Sequence, residues 1–133
     1  MNKEDNLKEK FKQALISTVK VISDDYKIEK EANKNSSSKN YNFFELDNLN
    51  TKQDYIKLRA ETDSEALKRK FSNIKIYQKN LPKNSACKSL YDISEKIRYE
   101  ILGTKILKGI SKNLKDNYSS KIFFSTRAWR SRC

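Results

Sequence analysis

YDISEKIRYEILGTKILKGISKNL, residues 91–114, holds both glycines of a 133-residue chain, Gly103 and Gly109. How they are read decides the fold. Upstream, Ala86, Leu90, Ile93, Ile97 and Ile101 recur at spacings of three and four, so they share one face of a helix. Asn84 or Ser85 is placed to cap it. Gly103 stands where that helix should end, because glycine accepts a left-handed cap, and Thr104 can start the next helix. Leu107, Ile110 and Leu114 then form a second stripe. Gly109 falls inside this second helix, where glycine costs about 1 kcal/mol relative to alanine. The missing side chain would let a neighbouring helix approach. The segment therefore reads as two short rods folded back on each other, with position 103 as the elbow and position 109 as the point of closest approach. The other reading is one continuous helix weakened by two glycines.

Around these stripes the surface is charged. Asp92 and Lys96 stand four apart, and Glu95 and Arg98 three apart, which predicts surface ion pairs worth about 0.2–0.5 kcal/mol each. Such carboxylates also suit acid–base work, but both have a cation at helical spacing. Lys105, Lys108, Lys112 and Lys115 occupy the arc opposite the second stripe. They are the candidate contacts for a polyanion. A solvated helix face has the same pattern, and neither arginine nor an aromatic platform interleaves this one.

Toward the N-terminus, residues 4–23 read as an amphipathic helix with Leu7, Phe11, Leu15, Val19 and Ile22 on one face. The pattern is lost over 24–50. Tyr26, Ile28 and Glu31 have room for a short edge strand, and the polar run at 34–40 cannot bury enough surface to order itself. Phe43, Phe44, Leu46 and Leu49 form an apolar clip for the helices. Thr51 and Asp54 mark a helix start. A stripe of Ile56, Ala60, Leu67, Phe71 and Ile74 extends that helix to about residue 80, with a break expected at Thr62–Ser64 and a stop before Pro82.

The totals narrow the function classes. There is room for one domain with a small core, since 36% of the residues are hydrophobic. No run of about 18 apolar residues exists to span a membrane, and the start has mixed charges in place of a secretory leader. Net charge is +12, which draws the chain toward polyanions; an A- and T-rich genome would also yield this wealth of Lys, Asn and Ile. The chain has no histidine and two cysteines, Cys87 and Cys133, which leaves little for zinc or histidine chemistry. Neither a Walker loop nor a GxGxxG, GxSxG, HExxH or DxSxS motif occurs. Residues 121–133, KIFFSTRAWRSRC, turn to arginine and an aromatic with no acid. They read as a basic tail, either disordered or aberrant.

Over Asp63 to Leu114 the chain resembles the N-terminal region of CobT, a subunit of the aerobic, ATP-dependent cobaltochelatase of cobalamin biosynthesis. Ala66-Leu67 and Leu81-Pro82 match the ends of its first helical part. Tyr91-Asp92 stands where the family has Phe-Asp, and Glu95, Arg98, Glu100 and Gly103 follow in register. Gly109-Ile110 and Asn113-Leu114 match the GVxxNL ending. Phe11 to Leu15 with Thr18-Val19 resembles the opening helix, and Glu45-Leu46 falls on the PELP segment. Two family histidines fall on Ser72 and Tyr77, so no metal role carries over to those positions. Whole family members continue through an acidic linker into a von Willebrand-type domain with a metal-dependent adhesion site, so the resemblance implies a truncated or split subunit.

The expected fold is mainly α: about four helices in a small bundle over 1–120, with an irregular segment at 24–50 that has room for a short strand, a flexible insert at about 30–42, and the basic tail at 121–133. The resemblance implies a cytoplasmic, non-catalytic module associated with cobalt insertion into hydrogenobyrinic acid a,c-diamide. Its partners would be a CobS-like AAA+ subunit and the large chelatase subunit. ATP, magnesium and cobalt belong to that complex, and no cofactor is assigned to this chain. From the residues alone, a small basic nucleic-acid-binding protein is the competing reading, and a decayed gene product without activity is a third.

Overall fold

A computed structural model describes residues 3–24 and 49–130. Within them lie five helices and no strand: α1 Lys3–Ser23, α2 Lys52–Phe71, α3 Ile74–Lys79, α4 Ser85–Ile106 and α5 Lys108–Arg130. The chain is thus mainly α, as its periodicity indicates. Helix α2 is the hub, packing on α1, α4 and α5, while α4 and α5 also pack on each other. The short strand and most of the apolar clip read from 24–50 lie outside the described residues; Leu49 of that clip is buried.

Each helix start has a local cause. At α2, Thr51 Oγ1 accepts from the Asp54 N–H at 3.3 Å, and Asp54 Oδ2 accepts from the Thr51 N–H at 2.7 Å. This reciprocal capping box satisfies two donors that a helix end leaves unpaired. Asn73 caps α3 and Asn84 caps α4, each accepting from two backbone N–H groups. Helix α1 ends at Asp24, whose φ of 56° is the left-handed conformation that aspartate tolerates better than most residues.

Ile16, Val19 and Ile22 of α1 meet Ala60, Ala66 and Leu67 of α2, and Ile110 and Leu114 of α5 complete the core. Leu15 and Leu67 are fully buried; each contributes about 2 kcal/mol through the area it removes from water. Phe11 packs edge-on against Tyr55 at 5.1 Å. Leu7, the first residue of the expected α1 stripe, is exposed.

Three expectations need correction. The break placed at Thr62–Ser64 falls instead at Ser72–Asn73, where the Asn73 side chain caps a new helix and divides the expected 52–80 rod into α2 and α3. The elbow is Leu107, not Gly103. Helix α4 runs through Gly103 to Ile106, no glycine has positive φ, and Leu107 is extended at φ −123°, ψ 96°. Helix α5 runs on through residues 121–130 of the segment read as a basic tail. Finally, the stripe Leu90, Ile93, Ile97 and Ile101 is not core: these side chains are 65, 55, 50 and 49% exposed. The inward face of α4 centres on Tyr99, Glu100 and Gly103, about a third of a turn away at 3.6 residues per turn.

Candidate functional site

Polar side chains occupy the centre of α2 where apolar ones are expected. Thr62 and Asp63 are fully buried, and Ser64 nearly so. Thr62 returns its hydroxyl to the Leu58 carbonyl at 2.7 Å within its own helix. Asp63 and Ser64 turn to the other two helices of the α2–α4–α5 core.

Ser64 Oγ donates to Glu100 Oε1 at 2.5 Å, and the Tyr118 hydroxyl donates to Glu100 Oε2 at 2.7 Å. Lys96 Nζ lies 3.9 Å from Oε1. One buried carboxylate of α4 thereby joins α2, α4 and α5, with both oxygens satisfied, as burial of a charge requires. Partial burial and the bond to Glu100 push the Tyr118 phenol far above its ordinary range, so it remains a donor. Burial likewise raises the Tyr99 phenol beside it.

Asp63 makes the second link. Asn113 Nδ2 of α5 donates to Asp63 Oδ2 at 2.6 Å. Arg59 Nε forms an ion pair with Oδ1 at 3.5 Å, and Oδ1 is buried without a hydrogen bond. Burial pushes the Asp63 carboxyl above its usual value, and Asn113 and Arg59 pull it only part of the way back.

The third link lies at the α2–α3 break. Arg98 grips Glu95 with two bonds, Nε to Oε2 at 2.8 Å and Nη2 to Oε1 at 2.6 Å, and Nη2 also donates to the Phe71 carbonyl at 2.8 Å. An arginine thus covers one of the open carbonyls at the end of α2, where the helix dipole favours a cation. Ser72 Oγ donates to Glu95 Oε1 at 2.7 Å. Arg98 first, and Ser72 with it, hold the Glu95 carboxyl down at about 2. One turn away the Tyr77 hydroxyl donates to Asp92, and its ring packs on Tyr91 at 5.4 Å. That bond raises the Tyr77 phenol to about 12.

Gly103 is the point of closest approach. A Cβ there would fall far inside contact distance of both Leu67 methyl carbons and 2.8 Å from its Cγ. Leu67 is fully buried and cannot swing into solvent. At Gly109 a Cβ would meet nothing within 4 Å. The close approach read from the sequence at Gly109 is therefore found at Gly103, where the absent side chain matters for packing, and Gly109 takes neither that role nor the elbow's.

Of the residues that carry the resemblance, Glu45-Leu46 lie outside the described residues. Asp92, Glu95, Arg98, Glu100, Gly103, Asn113 and Leu114 face α2, the α2–α3 break, α3 or the shared core; Gly109 faces open space. Of the ion pairs expected, Glu95–Arg98 forms, whereas Lys96 reaches Glu100 and Asp92 accepts from Tyr77. Ser72 and Tyr77, which stand where the resemblance puts histidine, are hydroxyl donors to two of the matched acids. Lys105, Lys108, Lys112 and Lys115 are all exposed, with the Leu107 joint separating Lys105 from the other three. Sequence reasoning passed over Asp63, Ser64 and Tyr118. The available signal was two polar residues between Ala60 and Leu67, in phase with the apolar stripe of α2.

Among the described residues, no group of three or more acids or cysteines is placed to hold a metal ion, and no helix is long and apolar enough to cross a membrane. A family model described as cobalamin biosynthesis protein CobT matches residues 5–127. Among curated proteins and among solved structures, nothing matches the chain.

Proposed function

The chain belongs to the CobT family, and from that premise we propose that it is a helical assembly module of the ATP-dependent cobaltochelatase, associated with cobalt insertion into hydrogenobyrinic acid a,c-diamide. Its role is to dock a CobS-like AAA+ subunit and thereby the large chelatase subunit, in the cytoplasm. ATP, magnesium and the cobalt cargo act elsewhere in the complex. The observation that carries this reading is how the matched residues are used. Glu95, Arg98, Glu100, Gly103 and Asn113 all contact α2 or its C-terminal break. Such use of the matched residues, as joints between helices, is what supports a scaffold role.

A scaffold also needs a contact surface, and α4 supplies one. Leu90, Ile93, Ile97 and Ile101 lie along one exposed face, with Ser89 and Ser94 beside them and no charge within the stripe. Apolar faces of this extent mark protein contacts more often than chance. The test is co-purification of the folded chain with a CobS-like AAA+ subunit, alongside an Ile93→Asp/Ile97→Asp double variant. Association that the double variant abolishes, with its helical circular dichroism unchanged, is the expected result. A folded wild-type chain that captures no AAA+ subunit would sink the proposal.

A further inference from the structure

Helix α4 hides its acids and shows its cations. It carries Lys88, Lys96, Arg98 and Lys105 against Asp92, Glu95 and Glu100. The acids are all engaged within the chain. Glu100 accepts from Ser64 and Tyr118, Glu95 from Ser72 and Arg98, and Asp92 from Tyr77. The side chains of Glu100 and Glu95 keep 9 and 20% of their surface, whereas those of Lys96 and Arg98 keep 43 and 45%. Lys96 stands 3.9 Å from Glu100, an ion pair too long for a hydrogen bond.

These cations border the apolar stripe. At about 100° per residue, Lys96 and Arg98 flank Ile97 on opposite sides. Lys105 follows Ile101 by one turn and is exposed. Asp92 and Glu95 lie about 140° or more around the helix from Ile97, and Glu100, which is nearer, is buried. The exposed Leu90, Ile93, Ile97 and Ile101 therefore run between cations, with no acid on their exposed rim.

We infer that this face receives an acidic amphipathic helix, with an aliphatic ridge to lie along Leu90 to Ile101 and carboxylates on its shoulders to meet Lys96, Arg98 and Lys105. The inference rests on the proposed docking role of the stripe and names the kind of partner segment it takes. Leu90 and Ile101 are eleven residues apart, so the contact runs about 16 Å, or three turns of a partner helix. A single row of side chains at three- and four-residue spacing is the surface against which another helix packs. Complementary charge on the rim then sets which helix is accepted. The same rim disfavours a second copy of this chain, which would bring cations against cations with its own acids turned inward.

Two synthetic helical peptides of about 20 residues test this with the full chain. Both carry the same leucine ridge; one has glutamate and the other lysine at its flanks. By fluorescence anisotropy the glutamate peptide should bind saturably, the lysine peptide at least tenfold more weakly, and added salt should narrow the gap. Lys96→Gln/Lys105→Gln should bind the glutamate peptide about tenfold more weakly. The net charge of +12 attracts any acid, so binding should also be lost in Ile93→Ser/Ile97→Ser, a variant with unchanged charge whose fold circular dichroism can verify. Equal binding of the two peptides, binding of neither, or undiminished binding in Ile93→Ser/Ile97→Ser would each overturn the inference. So would a dimer in sedimentation that Ile93→Ser/Ile97→Ser abolishes, since a second copy would then be the occupant. A chain that prefers the glutamate peptide yet captures no AAA+ subunit upholds this inference and sinks only the choice of partner. Capture of the AAA+ subunit without that preference does the reverse.

Discussion

The middle of α2 and the outer face of α4 invert the usual rule of burial. Thr62, Asp63 and Ser64 are polar and lie inside; Leu90, Ile93, Ile97 and Ile101 are apolar and lie outside. One arrangement explains both. Helix α4 addresses α2 through Glu100, Glu95 and Gly103, because Ser64, Ser72 and Leu67 offer matching partners there. Once that polar face points inward, the isoleucine stripe a third of a turn away must face solvent or a partner. Hydrophobic periodicity identifies a helix; complementarity decides which side of it is buried.

The sharpest way to break this comparison is Glu100→Ala. It strands the Ser64 hydroxyl at a buried site and removes the acceptor of the part-buried Tyr118 hydroxyl, and urea denaturation should show a loss of about 3 kcal/mol. A loss near zero would mean that the buried polar contacts do not orient α4. Next comes Gly103→Ala, expected to cost about 2 kcal/mol by pressing a methyl into Leu67. Pairing it with Leu67→Ala should give a clearly non-additive double-mutant cycle, since the two sites share one contact.

A smaller effect follows pH. The folded Glu95 carboxyl titrates at about 2, below the unfolded value of about 4.3. Its contribution is therefore complete above about pH 4.3 and drains away as pH falls toward 2. Arg98→Ala should remove about 1 kcal/mol at neutral pH and flatten that acid limb. Asp63 acts in the opposite sense: burial raises its pKa, so it favours the fold more as it becomes protonated, and Asp63→Asn should remove that component. Least of all should change with Ile97→Lys, which is expected to shift the melting free energy by no more than about 0.5 kcal/mol. A large loss there would show that the stripe is already covered within a single chain.

The limits of sequence legibility follow the same division. The capping box at Thr51–Asp54, the Asn84 cap, and the buried positions Leu15, Val19, Ile22, Ile110 and Leu114 of the α1 and α5 stripes are legible, because each depends on neighbours three or four residues away. The inward face of α4 is not, since the Ser64–Glu100 bond spans 36 residues and its signal is a polar pair inside an apolar phase. In the sequence Gly103 reads as a turn, because glycine near an expected helix end usually makes one. What it provides is clearance for Leu67, a property of the tertiary contact. The break at Ser72–Asn73 was misplaced for a related reason: Asn73 sits among helix-compatible residues, and its role as a cap appears only once Glu95 and Arg98 hold the end of α2.

Asp63 and Ser64 are consecutive, yet one bonds to α5 and the other to α4. Each step along a helix is a rise of about 1.5 Å and a turn of about 100°. Two attachments at adjacent steps, to different neighbours, fix both the height and the rotation of the central rod, as a keyway fixes a gear on its shaft. The thirteen-residue interval from Glu100 to Asn113 is then a gauge length. Losing or gaining one residue within it would put either the α4 key or the α5 key out of its slot, however apolar the replacement.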